Sequence, residues 1–119
     1  MYNFEKLTVW QKAMDFCGLI YKESRKFPKE EIFGLTSQLR RAATSIPLNL
    51  AEGSGCSSKK EFSRFVNIAL RSQYETVTII KLCKRLNILT NDNYPKISIA
   101  VDEIAKLLHG LANSLKTKN

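Results

Sequence analysis

Histidine is nearly missing from this chain: His109 stands alone. One imidazole with no cysteine or acid at ligand spacing makes neither a metal cage nor a catalytic base, so a surface or boundary position is expected for it. Cysteine is scarce and odd in number. Cys17, Cys56 and Cys83 never form a C-x-x-C pair, which argues against a zinc site or a disulfide framework and makes a reducing cytoplasm the simplest home. No segment approaches the ~20 apolar residues of a membrane span. The opening residues, charged at Glu5 and Lys6, are not expected to act as a secretory leader. Acid is also in short supply, 11 Asp and Glu against 19 Lys and Arg, and the acids that are present sit side by side, as in Glu30-Glu31 and Asp102-Glu103. Adjacent carboxylates point apart on a helix and suit helix-start charge or solubility better than paired acid and base work. Glu-x-x-His, the signature of a bundle di-iron site, does not occur. Gly53-Ser54-Gly55 lacks the lysine and spacing of a P-loop. The expectation is a protein without catalysis, metal or cofactor.

What is abundant is helical periodicity and positive charge. With 119 residues and 44% hydrophobic composition the chain fits one domain with one core. Trp10, Ala13, Cys17, Ile20 and Ser24 recur at steps of three and four, broadened by Val9, Met14, Phe16 and Tyr21, and predict a first helix over about 7–26 that Phe27-Pro28 ends. Cys17 reads there as a small core residue. Leu35, Leu39, Ala42, Ile46 and Leu50 predict a second helix over about 33–53. Phe33 and Leu35 are expected to re-enter the core at its start, Pro47 to kink it, and Gly53 to stop it. Asn49 and Glu52 are expected to satisfy backbone and arginine groups near the kink. After the small polar loop 54–58, Ser58 and Glu61 stand at capping-box spacing and open a third helix over about 58–87, ~45 Å long. Its broad apolar face runs from Phe62 through Val66, Ala69, Gln73 and Ile80 to Cys83. Asn91 or Asp92 is expected to cap a fourth helix over about 93–116, with Pro95 in its first turn. Ile97, Val101, Ile104, Leu108, Leu111 and Leu115 form its seam. Lys116 and Lys118 suit its C-terminal dipole, and 117–119 are expected to fray. No strand pattern competes. Four helices on short loops predict an all-α, antiparallel up-down-up-down four-helix bundle.

The net charge of +8 and a pI near 9.6 favour polyanionic partners, nucleic acid ahead of an anionic membrane surface. A basic protein with no such partner is the plainer alternative. Residues 58–87 carry seven Lys and Arg against two Glu. Lys60, Arg64, Asn67, Arg71, Lys81 and Arg85 fall on one stripe at 100° per residue, opposite the apolar face. Such a stripe can follow a phosphate backbone; a solvated helix face is the commoner outcome of a charge run. Arg40 and Arg41, adjacent and so about 100° apart, must reach water, a carboxylate or a partner. Aromatic residues are not expected to interleave the stripe, so base stacking is not expected either. A second apolar flank, Ile68, Ile79 and Leu86, needs a cover; self-association is the first expectation, and a wide bundle face within the monomer is the second.

Three motif runs carry a resemblance. They are Leu7-x-Val9-Trp10-Gln11-Lys12-Ala13, then Phe27-Pro28-x-x-Glu31-x-Phe33-Gly34-Leu35, and the long Ser37-Gln38-Leu39-Arg40-Arg41-Ala42-Ala43-x-Ser45-Ile46-Pro47-x-Asn49-x-Ala51-Glu52-Gly53. Lys60-Glu61-Phe62-x-Arg64-Phe65, Ala69, Ser72 and Glu75 extend them. Together they resemble the bacterial four-helix bundle proteins encoded in intervening sequences of 23S ribosomal RNA genes, also labelled S23 ribosomal proteins. After Ile97 the chain matches only as a generic amphipathic helix. The resemblance implies an up-and-down bundle and assembly into a homo-oligomer, a pentamer by analogy with retroelement accessory proteins of the same fold. It also implies RNA or DNA as a partner, or a protein partner such as a reverse transcriptase, and no catalytic residues.

Overall fold

The periodicity is realised as four helices in the computed structural model, which describes residues 1–116. The expectations placed on Lys118 and on the end of the chain at 117–119 lie outside the described residues. Helix α1 spans Thr8–Ser24, α2 Leu35–Ser54, α3 Lys59–Arg85 and α4 Tyr94–Ser114, with single 3-10 turns at Asn3–Lys6 and Lys29–Glu31. There are no strands among the described residues. Each helix packs on its chain neighbours and α1 closes the ring against α4. The pairings fix direction. Ser24 meets Arg40 and Cys17 meets Ala43 across α1 and α2; Ser45 meets Ser72, and Gly53 lies against Phe62 and Phe65, across α2 and α3. Gln73 meets Val101 and Lys84 stands over the Tyr94 ring across α3 and α4, while Lys12 meets Glu103 and Glu23 meets Lys96 across α1 and α4. In every pair one number rises as the other falls, which makes all neighbours antiparallel. The result is an up-down-up-down bundle measuring 48 × 24 × 21 Å.

The core is a continuous column. In α1 its line is Val9, Ala13, Phe16, Ile20 and Glu23, while Trp10 and Cys17 are half-buried and Met14 and Tyr21 are exposed. Ala13, Ile20 and Ser24 of the expected line are buried, while Val9 and Phe16 take the core positions expected of Trp10 and Cys17. Ile97, Val101, Ile104, Leu108 and Leu115 are buried along the expected α4 seam, with Leu111 half-buried. Buried Gln73 donates its amide to the Val101 carbonyl (3.3 Å), and its own oxygen has no partner among the described residues.

Several local expectations are corrected. Phe33 is 95% exposed. The Glu31 carboxylate, and not Phe33, turns to the start of α2, where it accepts the Leu35 N–H at 3.1 Å. Gly53 does not stop α2, which continues to Ser54; it is buried, and a Cβ there would stand 2.7 Å from the Phe65 Cβ and 2.8 Å from a Phe62 ring carbon. Its role is close approach of α2 to α3. The capping box is half made: the Ser58 hydroxyl accepts the Glu61 N–H (3.1 Å), but the Glu61 carboxylate turns to Arg64 (3.3 Å). Asn93, and not Asn91 or Asp92, is the residue before α4, and its side chain accepts the Thr90 N–H (2.8 Å), bracing the turn. Asn87 ends α3 in the left-handed region (φ 60°), so that the Ile88 and Leu89 N–H groups both return to the Cys83 carbonyl.

Pro47 lies inside α2 as expected. Because it has no N–H, the Ala43 carbonyl lacks its usual helical donor. The Cys17 thiol of α1 fills that role, with Sγ 3.4 Å from the Ala43 oxygen. Burial pushes this thiol up to about 11, so it stays protonated and able to donate. Asn49 also serves the backbone here, donating to the Ser45 carbonyl (2.8 Å) and hydroxyl (3.0 Å). Glu52 does not behave as expected: it is exposed and forms no arginine ion pair among the described residues.

Candidate nucleic-acid interface

Helix α3 presents its charge on a straight outward arc because its other side is taken up on both flanks, by α2 and by α4. Lys60, Arg64, Arg71, Lys81 and Arg85 are all exposed. Among the described residues just one of the five, Arg64, has a carboxylate partner, Glu61 at 3.3 Å, and it also lies 4.7 Å over the Phe65 ring. A pair with both side chains half-exposed contributes little and is easily exchanged for a phosphate. Lys81 and Arg85, one turn apart, flank a shallow hollow with Thr78 and Leu82.

The expectation of a stripe without aromatics is overturned by Tyr74, which is 58% exposed. At 100° per residue its position falls inside the arc from Arg71 to Lys81, filling the gap the cations leave. The signal in the sequence is the i+3 step from Arg71 to Tyr74.

Arg40 and Arg41 are driven apart by their one-residue offset. Arg40 leans to α1, where it is half-buried; its Nε donates to the Ser24 hydroxyl (2.8 Å) and its guanidinium stands 4.6 Å over the Tyr21 ring. Arg41 is exposed and lines a polar hollow with Ser45, Ser72 and Glu75, at the edge of the α3 arc. Arg41 can therefore share a surface with α3; Arg40 cannot.

The expected association flank divides as well. Ile79 is 6% exposed and lies in the core of the single chain, because α3 packs against both α2 and α4 and its buried arc is wide enough to include it. Ile68 is half-buried and Leu86 is 54% exposed. A larger apolar surface that sequence spacing did not indicate lies between α1 and α2: Phe4, Trp10, Met14, Pro47 and Leu48 line a groove of about 400 Å³. Leu48 is 62% exposed there.

Glu23 was also missed, although it continues the Val9–Phe16–Ile20 line. It is 1% exposed and lies 3.3 Å from Lys26 and 3.6 Å from Lys96. Burial alone would raise its carboxyl, but the hydrogen bond and charge of Lys26, the charge of Lys96 and nearby Asn93 outweigh it and hold it below the usual value. His109 is exposed. Among the described residues no three His, Cys, Asp or Glu side chains gather as metal ligands, and no helix is long and apolar enough to cross a membrane.

Comparison with known proteins agrees with this architecture. The crystal structure, at 1.70 Å, of a protein of unknown function from the S23 ribosomal protein family of Bacteroides thetaiotaomicron superposes with a TM-score of 0.81 and 29% identity, covering 88% of this chain and 95% of that one. No functionally curated protein matches the sequence. The family model for the 23S rRNA-intervening sequence protein matches residues 5–110, nearly the whole bundle, and the chain belongs to that family.

Proposed function

We propose that the protein is a non-enzymatic, homo-oligomeric helical bundle that binds structured RNA or other nucleic acid through the outward face of α3, with Arg41 at its edge. The observation that carries this reading is the row Lys60, Arg64, Arg71, Lys81 and Arg85, exposed along one rigid helix with, among the described residues, one carboxylate partner for the five. A 27-residue helix spans ~40 Å, enough to contact several successive phosphates. Contacts of this kind fix position and confer little sequence preference. Tyr74 in the middle of the row adds a stacking surface for an unpaired base. Assembly into a ring, five-membered by the family resemblance, would repeat the row around the assembly, with Leu86 as its remaining apolar flank.

Charge reversal of both Arg64 and Arg71 is expected to weaken binding of a structured RNA at least tenfold and to flatten its dependence on salt, in titrations at two salt concentrations with the oligomer mass recorded on the same samples. Unchanged affinity overturns the assignment of this face. The apolar α1–α2 groove supports a second reading, an adaptor that docks a protein partner there. Capture of one partner after nuclease treatment, lost on Leu48→Asp, would favour it.

A further inference from the structure

The end of α1, the connection to α2 and the first two turns of α2 do not close on one another. They leave a cavity of about 550 Å³ lined by Tyr21, Ser24, Arg25, Phe27, Pro28, Lys29, Ile32, Thr36 and Arg40. That is within the roughly 300–1,000 Å³ of small-ligand pockets. Its wall holds three cations and no acid, and none of the three has a carboxylate partner among the described residues. Of the neighbouring acids, Glu23 is engaged with Lys26 and Lys96 and Glu31 with the Leu35 N–H, while exposed Glu30 is not part of the cavity wall. Arg40 is held in place before any ligand arrives. Its Nε is bound to Ser24 and its plane lies over Tyr21, which leaves the terminal nitrogens of the fork unclaimed. Thr36, a residue 2% exposed, forms part of the same wall. A half-buried guanidinium with free terminal N–H groups is suited to take up an anion that enters the cavity.

We propose that this cavity binds a nucleotide, with its phosphate on Arg25, Lys29 and Arg40 and its planar base on the apolar floor of Phe27 and Ile32. Bidentate guanidinium contacts favour an oxyanion over a simple halide, and three cations around one site favour the doubly charged phosphate over a carboxylate. The apolar floor favours a ligand that carries a flat ring behind the phosphate. The choice of a nucleotide over other phosphate esters rests on the nucleic-acid reading above, but the pocket uses none of the α3 cations. A free mononucleotide and the 5′ end of a strand offer the same chemistry.

Calorimetric titration of the full chain with 5′-AMP and with inorganic phosphate tests the proposal. AMP is expected to bind at least about tenfold more tightly than phosphate, about 1.4 kcal/mol. R25E/K29E, both exposed and so tolerated by the fold, is expected to abolish the AMP signal without changing the melting temperature. R40K keeps the charge and loses the fork, and should weaken AMP several-fold. No AMP binding, equal binding of AMP and phosphate, or an unaffected R25E/K29E overturns the proposal. R64E/R71E should leave AMP affinity unchanged. If structured RNA fails to bind while AMP binds, the α3 reading falls and the pocket stands; if RNA binding is lost in R64E/R71E while AMP never binds, the pocket falls and the α3 reading stands. Displacement of AMP by a 5′-phosphorylated oligonucleotide, but not by its 5′-hydroxyl form, identifies a strand end as the source; displacement by neither identifies the free nucleotide.

Discussion

The two ends of α2 meet the rest of the bundle in opposite ways. At the C-terminal end Gly53 lets α3 approach until Phe62 and Phe65 occupy the space a side chain would need. At the N-terminal end Thr36 and Arg40 face a cavity, and among the described residues Arg40 is hydrogen-bonded through its Nε alone. The same helix thus closes one seam by removing atoms and leaves another open by placing large polar ones. Tight apolar contact stabilises the fold, and its loss shows in stability; charged groups that still reach solvent contribute little to stability and show in binding.

The largest effect expected from this contrast is at the closed end. Gly53→Ala places a methyl against the Cβ of Phe65, an atom fixed to the α3 backbone, so relief requires the helices to separate. Overpacking of this kind costs about 1–3 kcal/mol, and the upper part of that range is expected in urea unfolding. A loss below about 0.5 kcal/mol would mean that the α2–α3 seam is looser than described, and the contrast between the two ends would break.

Behind the open end, Glu23 provides a smaller test. Its carboxyl is held below the usual value by Lys26 and Lys96, so the stability it contributes is fully present above the unfolded-state value near 4.5 and is lost as pH falls through the lower folded value. Glu23→Gln should cost about 1–2 kcal/mol at neutral pH, discounted from a fully buried charged hydrogen bond because both lysines are half-exposed. It should also flatten the decline of stability below pH about 4.5 in acid denaturation. An unchanged acid limb in the variant would show that Glu23 is not the group responsible.

Legibility followed the physics of each feature. Steps of three and four gave all four helices and most of the core, because burial repeats with the helical turn; the α4 seam from Ile97 to Leu108 is the clearest case. Arcs were misjudged where a helix has two packed neighbours, as with Ile79, or where one residue of rotation separates candidates, as with Trp10 and Val9. Phe33 was misplaced because hydrophobicity says nothing about which of two loop residues turns inward once Glu31 has taken the helix start. The five α3 cations were legible from spacing, whereas the cavity was not: Tyr21, Arg25, Thr36 and Arg40 come from two helices, and no period within one segment relates them.

The middle of α2, between the tight seam and the open cavity, carries the smallest test. Pro47 removes the donor for the Ala43 carbonyl, and the Cys17 thiol takes its place at 3.4 Å. If that substitution of one donor for another is real, Cys17→Ala should cost about 1 kcal/mol in the native background, since a part-buried acceptor is left unmatched. In a Pro47→Ala background the residue at 47 again has an N–H, the carbonyl has its ordinary helical partner, and the same Cys17→Ala change should cost only the lost packing of one sulfur. A double-mutant cycle in urea isolates the difference, expected near 0.5–1 kcal/mol. Equal costs in the two backgrounds would show that Cys17 is in place for its volume alone. α2 would then tolerate its proline without help from α1, and the polar matching seen at its centre would be incidental to both ends.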